Sequence, residues 1–492
     1  MRTQAYQNYQ NAVRFYQIRQ KKSSQGSEGR SSCSEGENLH VSICFAFYIK
    51  SSIFAKNYNI IKYTMKSVMI AAMCLLFSMH NMRAQEVQND ATAPLHLMKP
   101  AYRYHYGVVE AKDVKATMDR VKNYLTNNTF TELDETGKML KRGDFRLTSY
   151  EWGVTYSAML RAGQLTGDKS YTKYADDCMI FLSKQAPKFK ALLDKGENID
   201  PLMRQVVRPA ALDDAGAICC AMIKSGNKAL KDQIETYYDY IANKQYRYSD
   251  GQFARMRPVA NTVWLDDMFM GIPALALHGD IEEAKKQFQL FHDKMWVEEK
   301  CLYRHGWVPG EHHPSFFWGR ANGWALLTAC ELLDVEESPL IMKHFKEHLS
   351  GLLALQDYDG GWHQLLDKPQ TYLETSCTAI YCYCLAHAIN KGWIEAEPYV
   401  GQTLLAWNYV NAHVNEKGQV EGTCVGTGLA FDPAFYAYRP VNNYAAHGYG
   451  PVIWAGAEIY QMLLNMCIKM NDSAVHYYPT DPQTDEPLFE VK

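Results

Sequence analysis

Asn261 to Leu277 reads NTVWLDDMFMGIPALAL and sets two adjacent carboxylates, Asp266 and Asp267, at the head of an otherwise apolar segment. Met268, Phe269, Met270, Ile272, Leu275 and Leu277 leave almost no polar face, which marks a helix buried on most sides. Asp is rarely buried without a partner, so the pair needs a reason. Successive helical residues point about 100° apart, so at most one of the two looks straight into a cavity while the other packs sideways or caps backbone N–H groups. An N-cap pair on a core helix and a catalytic carboxylate both fit these residues, and the rest of the chain has to decide.

Outward from this segment, from about Ala91 on, helices of two kinds alternate. Charged amphipathic segments fall at roughly 112–127, 169–185, 228–244, 280–298, 339–355 and 395–412. Segments poor in charge and rich in Gly, Ala, Cys and aromatic residues fall at roughly 149–165, 212–225, 264–278, 317–333, 374–391 and 449–468. Six outer and six inner helices predict an all-α fold, an (α/α)6 barrel in which one ring wraps the other. A helical solenoid also alternates pairs, but the uneven spacing and the Gly- and aromatic-rich linkers argue against a short regular repeat. Strands are expected only as decoration, around 247–257 and 417–438. Because no Pro-, Gly- or Ser-rich linker divides the chain after residue 91, residues 91–475 read as one catalytic domain and 476–492 as a C-terminal tail.

The first 64 residues differ from the rest, with nine Lys/Arg against three Asp/Glu, much Ser, Gln and Asn, and no amphipathic period. At Met65 the text becomes MKSVMIAAMCLLFSMHNMRAQ, with Lys66 as a charged start, an apolar run from Val68 to Met79 and Ala84 as a cleavage position. Residues 65–84 therefore read as a secretory signal peptide whose apolar run is too short to span a bilayer. Such peptides work at the N-terminus, so translation is expected to start at Met65, with 1–64 a disordered extension ahead of the true start. The mature protein is expected to be exported without a membrane span, to the periplasm in a Gram-negative cell.

A net charge of −3 over 492 residues makes no electrostatic case for nucleic acid or an anionic membrane. The 33 Tyr and 10 Trp suit a large core and equally suit stacking on sugar rings. Thirteen Cys form no framework, since Cys219-Cys220 and Cys382-Tyr383-Cys384 sit inside apolar runs and no Cys-x-x-Cys pair occurs. They read as small buried hydrophobes, not zinc ligands.

Each inner helix opens on polar or aromatic residues: Tyr150-Glu151-Trp152, Asp213-Asp214, Trp264 to Asp267, Trp318 to Trp324, Glu374-Thr375-Ser376 and His447-Gly448-Tyr449-Gly450. An alternating barrel gathers these six starts at one rim, where helix N-termini favour an anionic ligand. Arg320 and Trp324, four apart, share a face and offer a guanidinium fork beside a flat ring, as a carboxylated sugar requires. Arg320 fits equally as the partner of a carboxylate on a neighbouring inner helix. His305, in His305-Gly306-Trp307 before this helix, reads as a pocket residue or a solvated loop side chain, and Glu374 as a capping carboxylate.

Trp264-Leu265-Asp266-Asp267-Met268-Phe269-Met270, Trp318-Gly319-Arg320-Ala321-Asn322-Gly323-Trp324, Leu373-Glu374-Thr375-Ser376 and His447-Gly448-Tyr449-Gly450, in this order, resemble the unsaturated uronyl hydrolases of glycoside hydrolase families 88 and 105. The likeness spans about residues 100–470 and is nearer to the unsaturated rhamnogalacturonyl hydrolases of family 105. It implies an (α/α)6 barrel with no metal or organic cofactor, acting on unsaturated acidic oligosaccharides made by a lyase. It implies Asp266 as general acid and base, Asp213 as a second catalytic aspartate, and Trp264, His305, Arg320 and Trp324 as substrate contacts, with Tyr150 and His447 on the same rim. Asp214 beside Asp213 leaves open which of the two faces the pocket. The implied reaction protonates C4 of a C4=C5 unsaturated uronate, adds water at C5 and releases the next sugar from the hemiketal. Asp266 must start protonated, so Asp213 nearby and burial among Trp264 and Trp324 are expected to raise its pKa. Arg320 is expected on the substrate carboxylate.

Two other classes fit the same chain: a polysaccharide lyase on a similar toroid, with Tyr150, His447 or Tyr449 as base, and a secreted sugar-binding barrel that consumes nothing. The identity of the second sugar, galacturonate against glucuronate at the first, and the oligomeric state leave no mark in the sequence.

Overall fold

The computed structural model describes residues 109–310, 312–470 and 475–479. The extension 1–64, the signal segment 65–84 and nearly all of the tail 476–492 lie outside them.

Short joints fix how the helices pair. Helix α1 spans Ala111–Asn128, and α2, Tyr150–Thr166, ends at Gly167, whose φ of 71° turns the chain back. Asp168 then caps α3, Lys169–Asp194, by accepting the Ser170 N–H at 3.0 Å. After the short α4, Pro201–Val207, helix α5, Leu212–Ser225, ends at Gly226-Asn227, which leads through a 3-10 turn into α6, Lys231–Asp239. Gly279-Asp280 likewise joins α7, Asp266–His278, to α8, Ile281–Met295. Such joints allow only antiparallel neighbours, so each inner helix packs on the outer helix that follows it. The same holds for α9, Gly319–Val335, with α10, Pro339–Leu353, and for α11, Thr375–Asn390, with α12, Val400–Ala412.

After α13, Pro433–Ala437, comes the last inner helix, α14, Tyr449–Asn465, which packs on α1 and on α2. The ring therefore closes between the two ends of the described chain. Inner helices α2, α5, α7, α9, α11 and α14 contact one another in that order around an (α/α)6 barrel, and α1, α3, α6, α8, α10 and α12 form the outer layer. The inner helices are buried nearly all round, as in α9, where every residue from Gly319 to Leu333 is buried.

The structure departs from the sequence reading in detail. The segment 228–244 is split into a 3-10 turn, α6 and a π turn at Tyr240–Lys244. The helix expected from 395 starts only at Val400, since Pro398 restricts the residue before it away from the helical region. Residues 247–257 and 417–438 contribute isolated bridges, Arg247–Phe253, Arg255–Thr262, Val414–Val420 and Cys424–Val441. Two-residue antiparallel ladders form instead where aromatic residues meet: Val263–Trp264 with Gly306–Trp307, Trp296–Val297 with Leu302–Tyr303, and Trp362–His363 with Leu373–Glu374.

Small residues let the inner ring close. A Cβ placed on Gly216 of α5 would overlap the Met270 carbonyl of α7, a backbone atom that cannot step aside. Gly216→Ala is therefore expected to lower stability by about 1–3 kcal/mol, read as a drop in the denaturant midpoint at unchanged slope. An unaltered midpoint would mean that α5 and α7 stand further apart.

Candidate active site

The ladder of Val263–Trp264 with Gly306–Trp307 ends where α7 begins, and the Leu265 N–H donates to the His305 carbonyl at 2.9 Å. That crossing sets the His305 ring beside the first carboxylate of α7. Nε2 of His305 lies 2.9 Å from Asp266 Oδ2, and its Nδ1 lies 2.7 Å from the Tyr436 hydroxyl on α13. His305 and Tyr436 are fully buried while the Asp266 side chain keeps 14% exposure, so within this row only the carboxylate reaches solvent.

Burial pushes the Asp266 carboxyl up, but the His305 hydrogen bond and charge, with Arg255 nearby, outweigh it and leave the group below its ordinary value. This corrects the expectation of a raised pKa. Of the two raising influences expected, burial acts as expected but is outweighed, and the Asp213 carboxylate is paired with a cation.

Its neutraliser is Arg255. Nη1 and Nη2 donate to the two oxygens of Asp213 at 3.0 and 2.9 Å, while Nε and Nη2 donate to Asp267 at 2.9 and 2.6 Å. One guanidinium thus holds two carboxylates from adjacent inner helices. Asp267 is fully buried, and burial beside Asp213 and Asp266 pushes it up to about 6 against the pull of Arg255. Asp214 accepts the Ala210 N–H at 3.0 Å and serves as a local cap. Asp213 therefore faces Arg255, which it shares with Asp267.

Tyr150 and His447 meet on the same rim, with the Tyr150 hydroxyl 2.5 Å from His447 Nε2. Burial, with Arg320 nearby, holds His447 well below the usual histidine range, and its buried Nδ1 has no partner. Gly426 passes close to the His447 ring and Gly428 close to the edge of Trp264, so the segment 424–430 runs between these two side chains.

Three predicted contacts sit otherwise than expected. Arg320 is buried with its fork spent on protein: it donates to the carbonyls of Cys424 at 2.9 Å and Val425 at 2.8 Å and to Ser376 Oγ at 3.2 Å, with Glu374 3.6 Å away. It pins the 424–425 segment instead of offering a free fork, because the start of α11 and that segment supply nearer acceptors. Trp324 is 1% exposed and stacked on Phe269 of α7, centroids 5.3 Å apart at 19°, so its face is core packing with only an edge toward Tyr150. Trp264 is 6% exposed, with its ring under the Arg255 guanidinium at 4.4 Å and its Nε1–H given to Thr262 at 2.9 Å.

A cavity of about 920 Å³ is lined on this rim by Arg146, Tyr150, Asp213, Arg255, Arg257 and Asp267 among others. Arg255 and Tyr436 were not singled out in the sequence. A hint to Arg255 existed, because two adjacent Asp pairs at the heads of neighbouring inner helices call for a cation; nothing local marks Tyr436. Among the described residues, no group of three or more His, Cys, Asp or Glu is placed to hold a metal ion, and no helix is long and apolar enough to cross a membrane.

The model of Glycosyl Hydrolase Family 88 matches residues 115–463, most of the chain. The chain belongs to that family. It is a glycoside hydrolase. It is 28% identical over 240 residues to the unsaturated rhamnogalacturonyl hydrolase YesR of Bacillus subtilis, a match over 45% of this chain and 68% of that protein. It is also 28% identical over 225 residues to the unsaturated 3S-rhamnoglycuronyl hydrolase of Formosa agariphila, over 40% of this chain and 58% of the relative, less than two thirds of its length. The fold is that of a possible family 105 member from Salmonella enterica serovar Paratyphi A, with a TM-score of 0.59 at 24% identity, over 76% of this chain and 99% of that one. A polysaccharide lyase shares the barrel at a TM-score of 0.51 and 16% identity, over 71% of this chain and 97% of that one, which shows the architecture and not the reaction. Within family 88 the Asp266–His305 pair stands at the rim where all six inner helices begin.

Proposed function

We propose that this family 88 hydrolase removes a 4,5-unsaturated uronic acid from the non-reducing end of lyase-generated oligosaccharides, with unsaturated galacturonyl-rhamnose as the leading substrate. The observation that carries the reading is the partly exposed Asp266 carboxylate held by a buried histidine, one group able to give and take a proton. Asp266 gives its proton to C4 of the vinyl ether, water adds at C5, and the proton lost by the water returns to Asp266. The hemiketal opens and the next sugar leaves, so one water is consumed and the carboxyl is regenerated. The names of both relatives support an unsaturated uronyl substrate, and the cavity beside Tyr150 and Asp213 has room for the leaving sugar. The incoming uronate carboxylate pushes the Asp266 pKa back up by like charge, so binding itself favours the protonated acid.

The leader-like stretch at 65–84 supports an exported enzyme, periplasmic in a Gram-negative host. The test of the reaction is the ultraviolet absorbance of the conjugated substrate. It should fall steadily on mixing with the purified protein, whereas a lyase would raise it on intact polysaccharide. Binding of the unsaturated disaccharide with no fall in absorbance would leave a sugar-binding barrel.

A further inference from the structure

We propose that Tyr436 is a positioning residue whose hydroxyl sets the tautomer of His305 and so lets the Asp266–His305 pair hold and hand over the proton of the reaction. This rests on Asp266 being the acid and base. Tyr436 lies 131 positions from His305 on a five-residue helix, is fully buried, and has three polar neighbours. Its oxygen accepts the Ala430 N–H at 3.1 Å, sits 2.7 Å from His305 Nδ1, and sits 3.4 Å from the Ala430 carbonyl.

A phenol has one proton and two lone pairs, and the Ala430 N–H takes one lone pair. The remaining proton goes to His305 Nδ1, the much nearer acceptor. That leaves the proton of a neutral ring on Nε2, pointing at Asp266 Oδ2. When His305 is an imidazolium, Nδ1–H donates to the second lone pair and the phenol proton turns to the Ala430 carbonyl. Passing the Nε2 proton to Asp266 then leaves a neutral ring whose Nδ1–H is still accepted by Tyr436, with the carboxyl protonated and ready to protonate C4. The hydroxyl satisfies every state of the pair, and a ring without it satisfies none that carry Nδ1–H.

The phenyl ring does not depend on the hydroxyl for its place. Gln364 Nε2 donates to the Tyr436 carbonyl at 3.2 Å, and the ring packs beside Phe316 and His305. Tyr436→Phe should therefore keep the fold. The charged and titratable groups around the pair are Asp266 itself, Asp267, Arg255, Arg320 and Tyr150. None of these replaces the lost acceptor at Nδ1, because none is bonded to that atom.

In the full chain, Tyr436→Phe is expected to lower kcat about tenfold, to leave KM within about twofold, and to move the alkaline limb of the kcat profile about one unit to lower pH. The direction follows because an Nδ1–H facing hydrocarbon disfavours the imidazolium. A purely structural role for Tyr436 would lower the melting temperature and leave the limb in place, which overturns the proposal. Nitrogen-15 spectra of labelled histidine, with the signal assigned through His305→Gln, give a readout that needs neither substrate nor a folded Phe variant. At alkaline pH, where the pair has lost its shared proton, the neutral ring of the wild type should carry its proton on Nε2, and a proton found on Nδ1 there refutes the assignment. If the wild type consumes no unsaturated substrate, the reaction is wrong and the tautomer result still decides Tyr436.

Discussion

Asp266→Asn should lose turnover by roughly a thousandfold or more, since general acid and base catalysis together reside in this one side chain. Binding of the unsaturated disaccharide, measured by calorimetry, should stay within about tenfold, because an amide fills the same space and keeps a contact to His305 Nε2. The two readouts separate loss of chemistry from loss of the site. The wild-type carboxyl lies below its ordinary value because His305 and Arg255 outweigh burial, so its contribution to stability is complete above the unfolded carboxyl range and is lost as pH falls through the folded value. The amide variant lacks that loss, and its melting temperature should decline less on the acid side. Activity depends on pH in the opposite sense. The pair must carry a proton, so turnover in the wild type should fall as pH rises and that proton is lost. Turnover in Asp266→Asn near that of the wild type would remove Asp266 from the reaction and send the search to the Tyr150–His447 pair.

The barrel was legible because its inner helices lack a polar face: α9 and α11 read as charge-poor runs, and the Gly-Asp joints after α2 and α7 mark where each hairpin turns. The rim was legible for the same reason, since polar residues at the head of a buried helix stand out. What those residues touch was not. Trp318 to Trp324 has the composition of a sugar subsite, yet the same Arg and Trp answer the needs of packing, with Arg320 taken by carbonyls about a hundred positions downstream and Trp324 by Phe269. Local pattern gives a side chain's chemistry and face, whereas its partner is set by closure of the ring. Tyr436 is the extreme case, being an ordinary aromatic in the 417–438 stretch until the fold brings its hydroxyl to His305. The error over the Asp266 pKa has the same origin. Burial and a neighbouring Asp are visible in the sequence, but the His305 hydrogen bond that outweighs them is made only when the Gly306–Trp307 ladder meets α7, and the Arg255 cation that adds to it comes from the 247–257 segment, expected only as decoration.

Arg255→Met should cost about 3–5 kcal/mol of stability at neutral pH, the price of leaving Asp267 in the core without its counter-ion, either charged or made to take up a proton. Met matches the length of the aliphatic part of the side chain, so the loss measures charge more than volume. Asp213 contributes less to this figure because its side chain is 31% exposed and water can replace the guanidinium. The pH dependence has a definite sign. Asp267 already stands at about 6 with Arg255 present, and without it the value rises further, so the folded variant takes up a proton that the unfolded chain binds only at much lower pH. Stability of the variant relative to wild type should therefore recover as pH falls below the new folded value and worsen as pH rises through it. Adding Asp267→Asn to Arg255→Met should restore most of the loss at neutral pH, since two neutral groups need no counter-ion. Arg255→Lys should recover only part, because a point charge cannot span carboxylates on two helices. A loss under about 1 kcal/mol in Arg255→Met would mean that Asp267 is protonated in the native enzyme. In that case one negative charge fewer stands beside Asp266, and the pull toward a protonated acid weakens.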